Sequence, residues 1–226
     1  MGEAQLSNRA WLGIAPVFKD AKNLMINEFF ITPLPGSELE VKTIDNKFIQ
    51  QGLPADMRLF DDASEEFIKS EAIKKYSFLH IATHGFVNSE KPELSGIILS
   101  TNKAGGNDGV LYSGEIYNLE LNADLVVLSA CETGLGKVMK GEGIIGLSRA
   151  LLYAGTNNLI VSLWKVSDVS TSKLMIDFYD NYLKHSYDNQ QKFAYAKYLQ
   201  QAKLKMIKEN KFGHPFFWSP FILVGN

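Results

Sequence analysis

Apolar and polar positions along this chain divide it into short apolar runs and longer segments with an amphipathic repeat. The short runs predict strands at residues 11–18, 56–60, 78–83, 125–128, 159–166 and 216–224. The longer segments predict helices at residues 37–49, 62–76, 143–154, 174–183 and 195–206. Strands and helices that alternate in this way are typical of an α/β fold, a mostly parallel sheet flanked by helices on both faces. No linker interrupts the pattern, so we predict a single domain.

Turn and cap residues refine this outline. Residues 96–100 and 110–112 are predicted to form a hairpin, because the segment between them is polar and rich in glycine and asparagine. Ser37 and Glu40 have the spacing of a capping box, which predicts that their side chains close the first turn of a helix. Pro220 cannot donate to a sheet ladder, so the last strand is expected at an edge.

Two of the predicted strands end in polar turns that carry a reactive side chain. His84 follows the apolar run at 78–82, and Cys131 follows the run at 125–128. In open α/β sheets, ligands bind just past the carboxyl ends of the strands. A histidine and a cysteine that leave neighbouring strand ends can meet there, as a thiolate–imidazole hydrolase requires.

Each candidate residue also has a structural interpretation. Cys131, the only cysteine, is by residue type as easily a small buried hydrophobe as a nucleophile, although a turn rich in backbone N–H groups favours a thiolate. His80 shares a strand face with His84 but lies deeper, so we interpret it as a core histidine and His84 as the base. Gly85 either permits a tight turn or, with the backbone of Cys131, supplies N–H groups to an oxyanion hole.

Composition narrows the classes of partner. The chain has 226 residues, of which 46% are hydrophobic, and a net charge of −2, which gives no electrostatic footprint for nucleic acid. No apolar run is long enough to cross a membrane, and the amino terminus has no secretion pattern. One cysteine excludes internal disulfides and cysteine-rich zinc sites, and we expect no metal or cofactor. A single cysteine is typical of a protein in a reducing compartment, so we expect a cytoplasmic protein.

Motifs along most of the chain resemble one family. They are Pro33-Leu34-Pro35-Gly36-Ser37 with Glu40, residues 79–85, 123–134, 141–143 and 162–168, Phe178-Tyr179, and His214-Pro215 with Trp218 and Phe221. In this order they resemble the CHAT domain, a module related to caspases and separase that often follows helical repeats. The resemblance implies a caspase-like fold over residues 1–226, a longer parent protein with helical repeats upstream, and Cys131 as nucleophile.

Two acidic residues are candidates for substrate binding. The segment 162–168 is similar to a separase segment whose aspartate receives the basic side chain of the substrate, which implies that role for Asp168. By residue type Asp168 is as easily a helix cap, or it is neutralised by Lys165 or Lys173. Glu142 is the second candidate, and its alternative interpretation is an ordinary loop charge.

A glycine motif supports a rival class of protein. Residues 141–146 match G-x-G-x-x-G, and Asp168 follows at about the offset of a ribose-binding acid. A dinucleotide-binding turn passes directly from strand to glycines, whereas residues 131–140 intervene here. We therefore favour a loop beside the cysteine over nucleotide binding.

The sequence as a whole predicts a cysteine endopeptidase that cleaves protein or peptide substrates after a basic residue. The alternative is a catalytically silent interaction module that retains the fold. The loops at residues 100–109 and 133–143 are glycine-rich, and loops of this kind often order when a partner binds. We therefore expect regulation by an activating partner or by the upstream repeat domain, and a displaced loop near Cys131 in the unliganded protein.

Overall fold

A computed structural model describes residues 9–19, 21, 24–26, 29–88, 90–101, 107–129, 131–132, 142–185, 194–209 and 211–225, with backbone alone for residues 29, 131–132 and 142–145. Its strands are β1 (Ala10–Ala15), β2 (Met25–Ile26), β3 (Phe29–Phe30), β4 (Ala55–Leu59), β5 (Tyr76–Ile81), β6 (His84–Phe86), β7 (Gly96–Ile98), β8 (Val110–Tyr112), β9 (Leu125–Leu128), β10 (Cys131–Glu132), β11 (Asn158–Ser162) and β12 (Phe221–Gly225). Its α-helices are α1 (Pro35–Gln50), α2 (Glu65–Lys69), α3 (Ser113–Ile116), α4 (Glu142–Tyr153), α5 (Asp168–His185) and α6 (Tyr195–Lys208).

The main sheet has six strands in the order β12-β11-β9-β5-β1-β4. All neighbouring strands are parallel except β12, which pairs antiparallel with β11 at one edge. This confirms the predicted α/β class and the edge position of the last strand. Described helices cover both faces, α1, α5 and α6 on one and α2, α3 and α4 on the other.

Alternating side chains of the main-sheet strands pack into two apolar clusters, one on each face of the sheet. In β1, Trp11 and Ala15 pack beneath α1, α5 and α6, whereas Leu12 and Ile14 pack on the opposite face. These four side chains are at most 1% exposed, as the period of two in a strand covered on both sides requires. The apolar runs of the sequence therefore mark strands whose two faces are both buried.

A second, smaller sheet continues where two central strands of the main sheet end. Its order is β10-β6-β7-β8, with β10 parallel to β6 and the other pairs antiparallel. β6 begins three residues after β5 ends, and β10 begins three residues after β9 ends. The predicted hairpin is confirmed as β7 and β8, and it belongs to this second sheet.

Several predicted boundaries are wrong, each for a local reason. The predicted helix at 62–76 divides into α2 and a 3-10 turn at Glu71–Lys75, with extended backbone at Ser70 between them. Helix α1 begins at Pro35, because proline suits the first turn, and Leu34 occupies the cap position. The capping box is absent: the Ser37 hydroxyl donates to the Leu34 carbonyl. Glu40 points into the core instead.

The described part of the chain contains no helix with the length and apolar character needed to cross a membrane.

Candidate active site

The second sheet brings the two predicted catalytic residues side by side. β5 and β9 are neighbours in the main sheet, with Ile81 in register with Leu128. Just beyond them, His84 of β6 is the register partner of Cys131 of β10. Adjacent strands lie about 4.8 Å apart, so the two backbones approach within reach of a shared substrate. The side chain of Cys131 lies outside the described residues.

The imidazole of His84 is held by a backbone carbonyl. Its Nε2 lies 2.8 Å from the carbonyl oxygen of Thr32. Because a carbonyl oxygen only accepts, Nε2 carries the proton and Nδ1 of the neutral ring is an acceptor. Nδ1 is buried and has no hydrogen-bond partner among the described residues. The described geometry thus presents His84 as a base with one nitrogen committed and the other available.

The surroundings of His84 keep its ring neutral. Burial lowers the pKa of His84 below its ordinary value of 6.5, the Thr32 carbonyl opposes this effect, and the positive charge of Lys165 adds to it. Each effect has the expected sign, because burial and a nearby cation both disfavour an imidazolium. His84 is therefore in its base form at neutral pH.

Thr32 is a contact of the candidate base that the sequence analysis missed. Its side chain is exposed, and it contributes only a carbonyl, which every residue has. The one sequence feature that bears on it is Pro33, since the residue before a proline is restricted to extended backbone. The Leu34 amide, two residues further on, donates to the carbonyl of Val17 at 2.8 Å and so ties this segment to the end of β1.

A strained turn follows β1 beside the histidine. Val17 and Phe18 have φ values of 63° and 53°, and Phe60, just after β4, has a φ of 54°. The Phe18 amide donates to the Pro16 carbonyl at 2.7 Å, which closes a three-residue γ-turn. Each such non-glycine residue costs about 1–3 kcal/mol of backbone strain. The ring of Phe18 stacks on His84, with centroids 5.7 Å apart and an interplanar angle of 28°.

Asp168 joins the amino-terminal ends of two long helices. It is the first residue of α5, and its Oδ2 accepts the Gly36 amide of α1 at 2.5 Å, while the Ser37 amide also hydrogen-bonds to it. A Cβ atom on Gly36 would lie 2.6 Å from Oδ2, so the close approach requires glycine. Burial raises the pKa of Asp168, and the amide bonds oppose the rise. The helix dipoles of α1 and α5 both favour the charged carboxylate.

The neighbouring lysine that could neutralise Asp168 is engaged elsewhere. The amino group of Lys173 lies 2.7 Å from Glu209 and 3.3 Å from Asp177. Lys165 acts on His84 through its charge. The carboxylate of Asp168 is thus held by backbone amides rather than by Lys173.

His80 is a core residue, as predicted. It is 0% exposed, and its Nε2 lies 2.7 Å from Oε1 of Glu40, which is 1% exposed. The hydroxyl of Tyr179 lies 3.4 Å from Nδ1, and Trp11 stacks on the ring. Nε2 thus hydrogen-bonds to Glu40, and Nδ1 hydrogen-bonds to the Tyr179 hydroxyl. This buried pair links α1 to β5 directly upstream of the candidate base.

The remaining candidates take varied positions. Gly85 lies within β6, in register with Glu132 on one side and Ile97 on the other. The side chain of Glu142 and the loops at 102–106 and 133–141 lie outside the described residues, so the loop prediction stays a prediction. His185 is half-buried and stacks on Tyr198, and His214 is exposed, with its Nδ1 accepting the Phe216 amide. Among the described side chains, no group of three or more metal-binding residues occurs.

Comparison with known proteins places this architecture in a class and then in a family. The fold is caspase-like: it matches the crystal structure of the Arg-specific cysteine proteinase gingipain R with a TM-score of 0.59, over 100% of this chain and 48% of that one. At 13% identity this likeness concerns the fold alone. The chain belongs to the CHAT domain family, whose sequence pattern matches residues 3–226.

Two curated relatives are repeat proteins. Tetratricopeptide repeat protein 28 of Homo sapiens is 36% identical over 119 residues, and that of Mus musculus is 34% identical over the same length. Each match covers 52% of this chain but 4% of the relative. A CHAT-like segment therefore occurs in these relatives as a small part of a much longer protein named for its repeats.

Proposed function

We propose that this domain is a cysteine endopeptidase with Cys131 as the nucleophile and His84 as the general base. The observation that carries the proposal is the register of the second sheet, which pairs these two residues across adjacent strands at the carboxyl edge of a caspase-like fold. The neutral His84 ring, with Nε2 bonded to the Thr32 carbonyl, supports it further. The Thr32 carbonyl fills the orienting role that a carboxylate takes in other triads.

The reaction follows from these assignments. Nδ1 of His84 takes the proton of the Cys131 thiol, and the thiolate attacks the carbonyl carbon of the peptide. The imidazolium then gives that proton to the leaving amine, and the C–N bond breaks to leave a thioester. His84 next takes a proton from water, and the hydroxide attacks the thioester. The C–S bond breaks to release the carboxylic acid, and the imidazolium returns its proton to the Cys131 thiolate. The assignment of the oxyanion hole to the amides of Gly85 and Cys131 stays a prediction.

A peptide library tests the proposal. The domain is incubated with the library alongside Cys131→Ala, His84→Ala and the control His185→Gln, which changes a histidine distant in sequence from both. We expect cleavage by the wild type and by the control, and loss of cleavage in the other two variants. If neither the domain nor the full-length parent with its repeats shows Cys131-dependent cleavage, the proposal is wrong and the interaction module is favoured.

Substrate preference is the finer part of the proposal: cleavage after arginine or lysine, with Asp168 as the acid that receives the basic side chain. A carboxylate has about four acceptor positions, so the bonds from the Gly36 and Ser37 amides do not saturate it. Charge-assisted bonds to a guanidinium contribute about 1.5–3 kcal/mol. Loss of this charge is therefore expected to reduce the preference for arginine about tenfold to a hundredfold.

Matched peptides check this prediction. Peptides with arginine, methionine or aspartate before the scissile bond are compared between the wild type and Asp168→Asn. Asparagine keeps an oxygen that can accept the Gly36 amide, so the junction of the helices is preserved while the charge is removed. Glu142→Gln is the matched control for the second candidate acid. An arginine preference that is unchanged in Asp168→Asn, or a wild-type preference for aspartate, would show that Asp168 is not the specificity residue.

A further inference from the structure

The γ-turn after β1 is linked to the candidate base directly, through a ring contact, and indirectly, through a neighbouring segment. The ring of Phe18 lies against one face of the His84 imidazole. The carbonyl of Val17 accepts the Leu34 amide, and Leu34 lies two residues beyond Thr32, whose carbonyl holds Nε2 of His84. One three-residue turn therefore contacts the ring and also anchors the segment that orients it.

The turn adopts a conformation that its residues do not favour. Val17 is β-branched and fully buried, and it has a φ of 63°, while Phe18 is 9% exposed with a φ of 53°. Positive φ is rare for such residues and persists only where the surrounding structure enforces it, commonly at functional sites. Here the ring of Phe18, one of the two residues with positive φ, stacks on His84.

We propose that Phe18 is a positioning residue for His84, which keeps the imidazole in the plane where Nε2 bonds Thr32 and Nδ1 remains the acceptor. The proposal rests on the proposed function, because it is the base of that reaction that is positioned. Without the aromatic ring, one face of the imidazole gains access to water, and rotation of the ring about its side-chain torsion is no longer opposed. The base would then sample orientations in which Nδ1 is not available to the thiol.

Nuclear magnetic resonance of histidine-labelled protein tests the proposal without any need for turnover. The spectra are recorded in a Cys131→Ala background, so that no thiol titrates, and His84 is assigned by the loss of its signals in His84→Gln. With Phe18 present we expect a single Nε2–H tautomer and a pKa below 6.5. In Phe18→Ala we expect mixed tautomers and a pKa that moves up toward 6.5. Lys165 still lowers that pKa through its charge.

Two further variants separate positioning from general packing. Phe18→Tyr keeps the ring that stacks on His84, and Phe18 lines a cavity of about 380 Å³, so tyrosine should retain the parental tautomer. Phe48→Leu removes a fully buried ring of the apolar cluster beneath α1, α5 and α6, and it should leave the His84 signals unchanged. If Phe18→Ala does not fold, Phe18→Leu takes its place with the same expectations.

The outcomes distinguish this inference from the proposed function. Unchanged tautomer and pKa of His84 in a folded Phe18 variant would overturn the positioning role, as would an equal shift in Phe48→Leu. With Cys131 restored, kcat is expected to fall up to about a hundredfold in Phe18→Ala, with little change in KM. Absence of cleavage by the wild type would instead count against the peptidase, while the spectroscopic result still decides whether Phe18 positions His84.

Discussion

Replacement of His84 by alanine is expected to lower kcat/KM for peptide cleavage by about 10²–10⁴-fold, the usual contribution of a general acid–base. The reason is that, in the proposed mechanism, His84 both activates the Cys131 thiol and protonates the leaving amine. The loss should appear mainly in kcat, since the imidazole acts on the reacting bonds rather than on the rest of the substrate. Steady-state kinetics on the best library peptide measure it.

The matched control for this experiment is Thr32→Ala. The Thr32 side chain is exposed, whereas its carbonyl bonds Nε2 of His84, so alanine removes the side chain and keeps the acceptor. We expect near wild-type cleavage from this variant. Retention of full activity in His84→Ala would contradict the assignment of the base. A loss in Thr32→Ala as large as that in His84→Ala would instead show that the threonine side chain has a role of its own.

Replacement of Glu40 by alanine is expected to lower the free energy of unfolding by about 1–3 kcal/mol, the usual cost of leaving a buried donor without its acceptor. The change leaves the Nε2–H group of His80 without its acceptor, 0% exposed and among the aromatic rings of Trp11 and Tyr179. Urea unfolding followed by circular dichroism measures the loss. The urea concentration at the midpoint of unfolding should fall. The slope of the unfolding free energy against urea concentration should stay constant, because the surface exposed on unfolding does not change.

Glu38→Ala is the control on the same helix. Glu38 forms ion pairs with Lys19 and Lys42 near the surface, and exposed pairs of this kind contribute about 0.2–1 kcal/mol each. A double variant, Glu40→Leu with His80→Leu, should recover part of the loss, because it removes both polar groups from the core. If Glu40→Ala and Glu38→Ala were equally stable, the buried pair would not stabilise the fold.

The main sheet was predictable because its strands are buried on both faces. The run from Leu125 to Leu128 is apolar at every position, and the described strand β9 has those same bounds. Some predicted strands are too long because they extend past the point where the chain leaves the sheet. The strand predicted at 11–18 is an example, since β1 ends at Ala15, before the γ-turn. Apolar residues continue through Val17 and Phe18, but they pack in a turn rather than in a ladder. Residue type alone does not separate these two environments.

The candidate site was predictable only as far as side chains reveal it. His84 and Cys131 follow apolar runs, so their meeting could be inferred, and the backbone register agrees with that inference. The Thr32 carbonyl could not be inferred, because a backbone group leaves no trace in residue type. Glu40 was misassigned for a physical reason: its spacing from Ser37 suits a capping box, but His80 offers it a partner in the core.

The division of the fold into two sheets bears on how such domains can change over evolutionary time. Cys131 lies on a two-residue strand at the edge of the small sheet, whereas the large apolar clusters pack around the six-stranded sheet. A single codon change at position 131 would therefore remove the proposed nucleophile and leave the architecture to be inherited intact. Lineages without the cysteine could keep the domain as a scaffold for partners. Membership of this family therefore does not decide whether a given chain is an enzyme, and each chain has to be tested for activity.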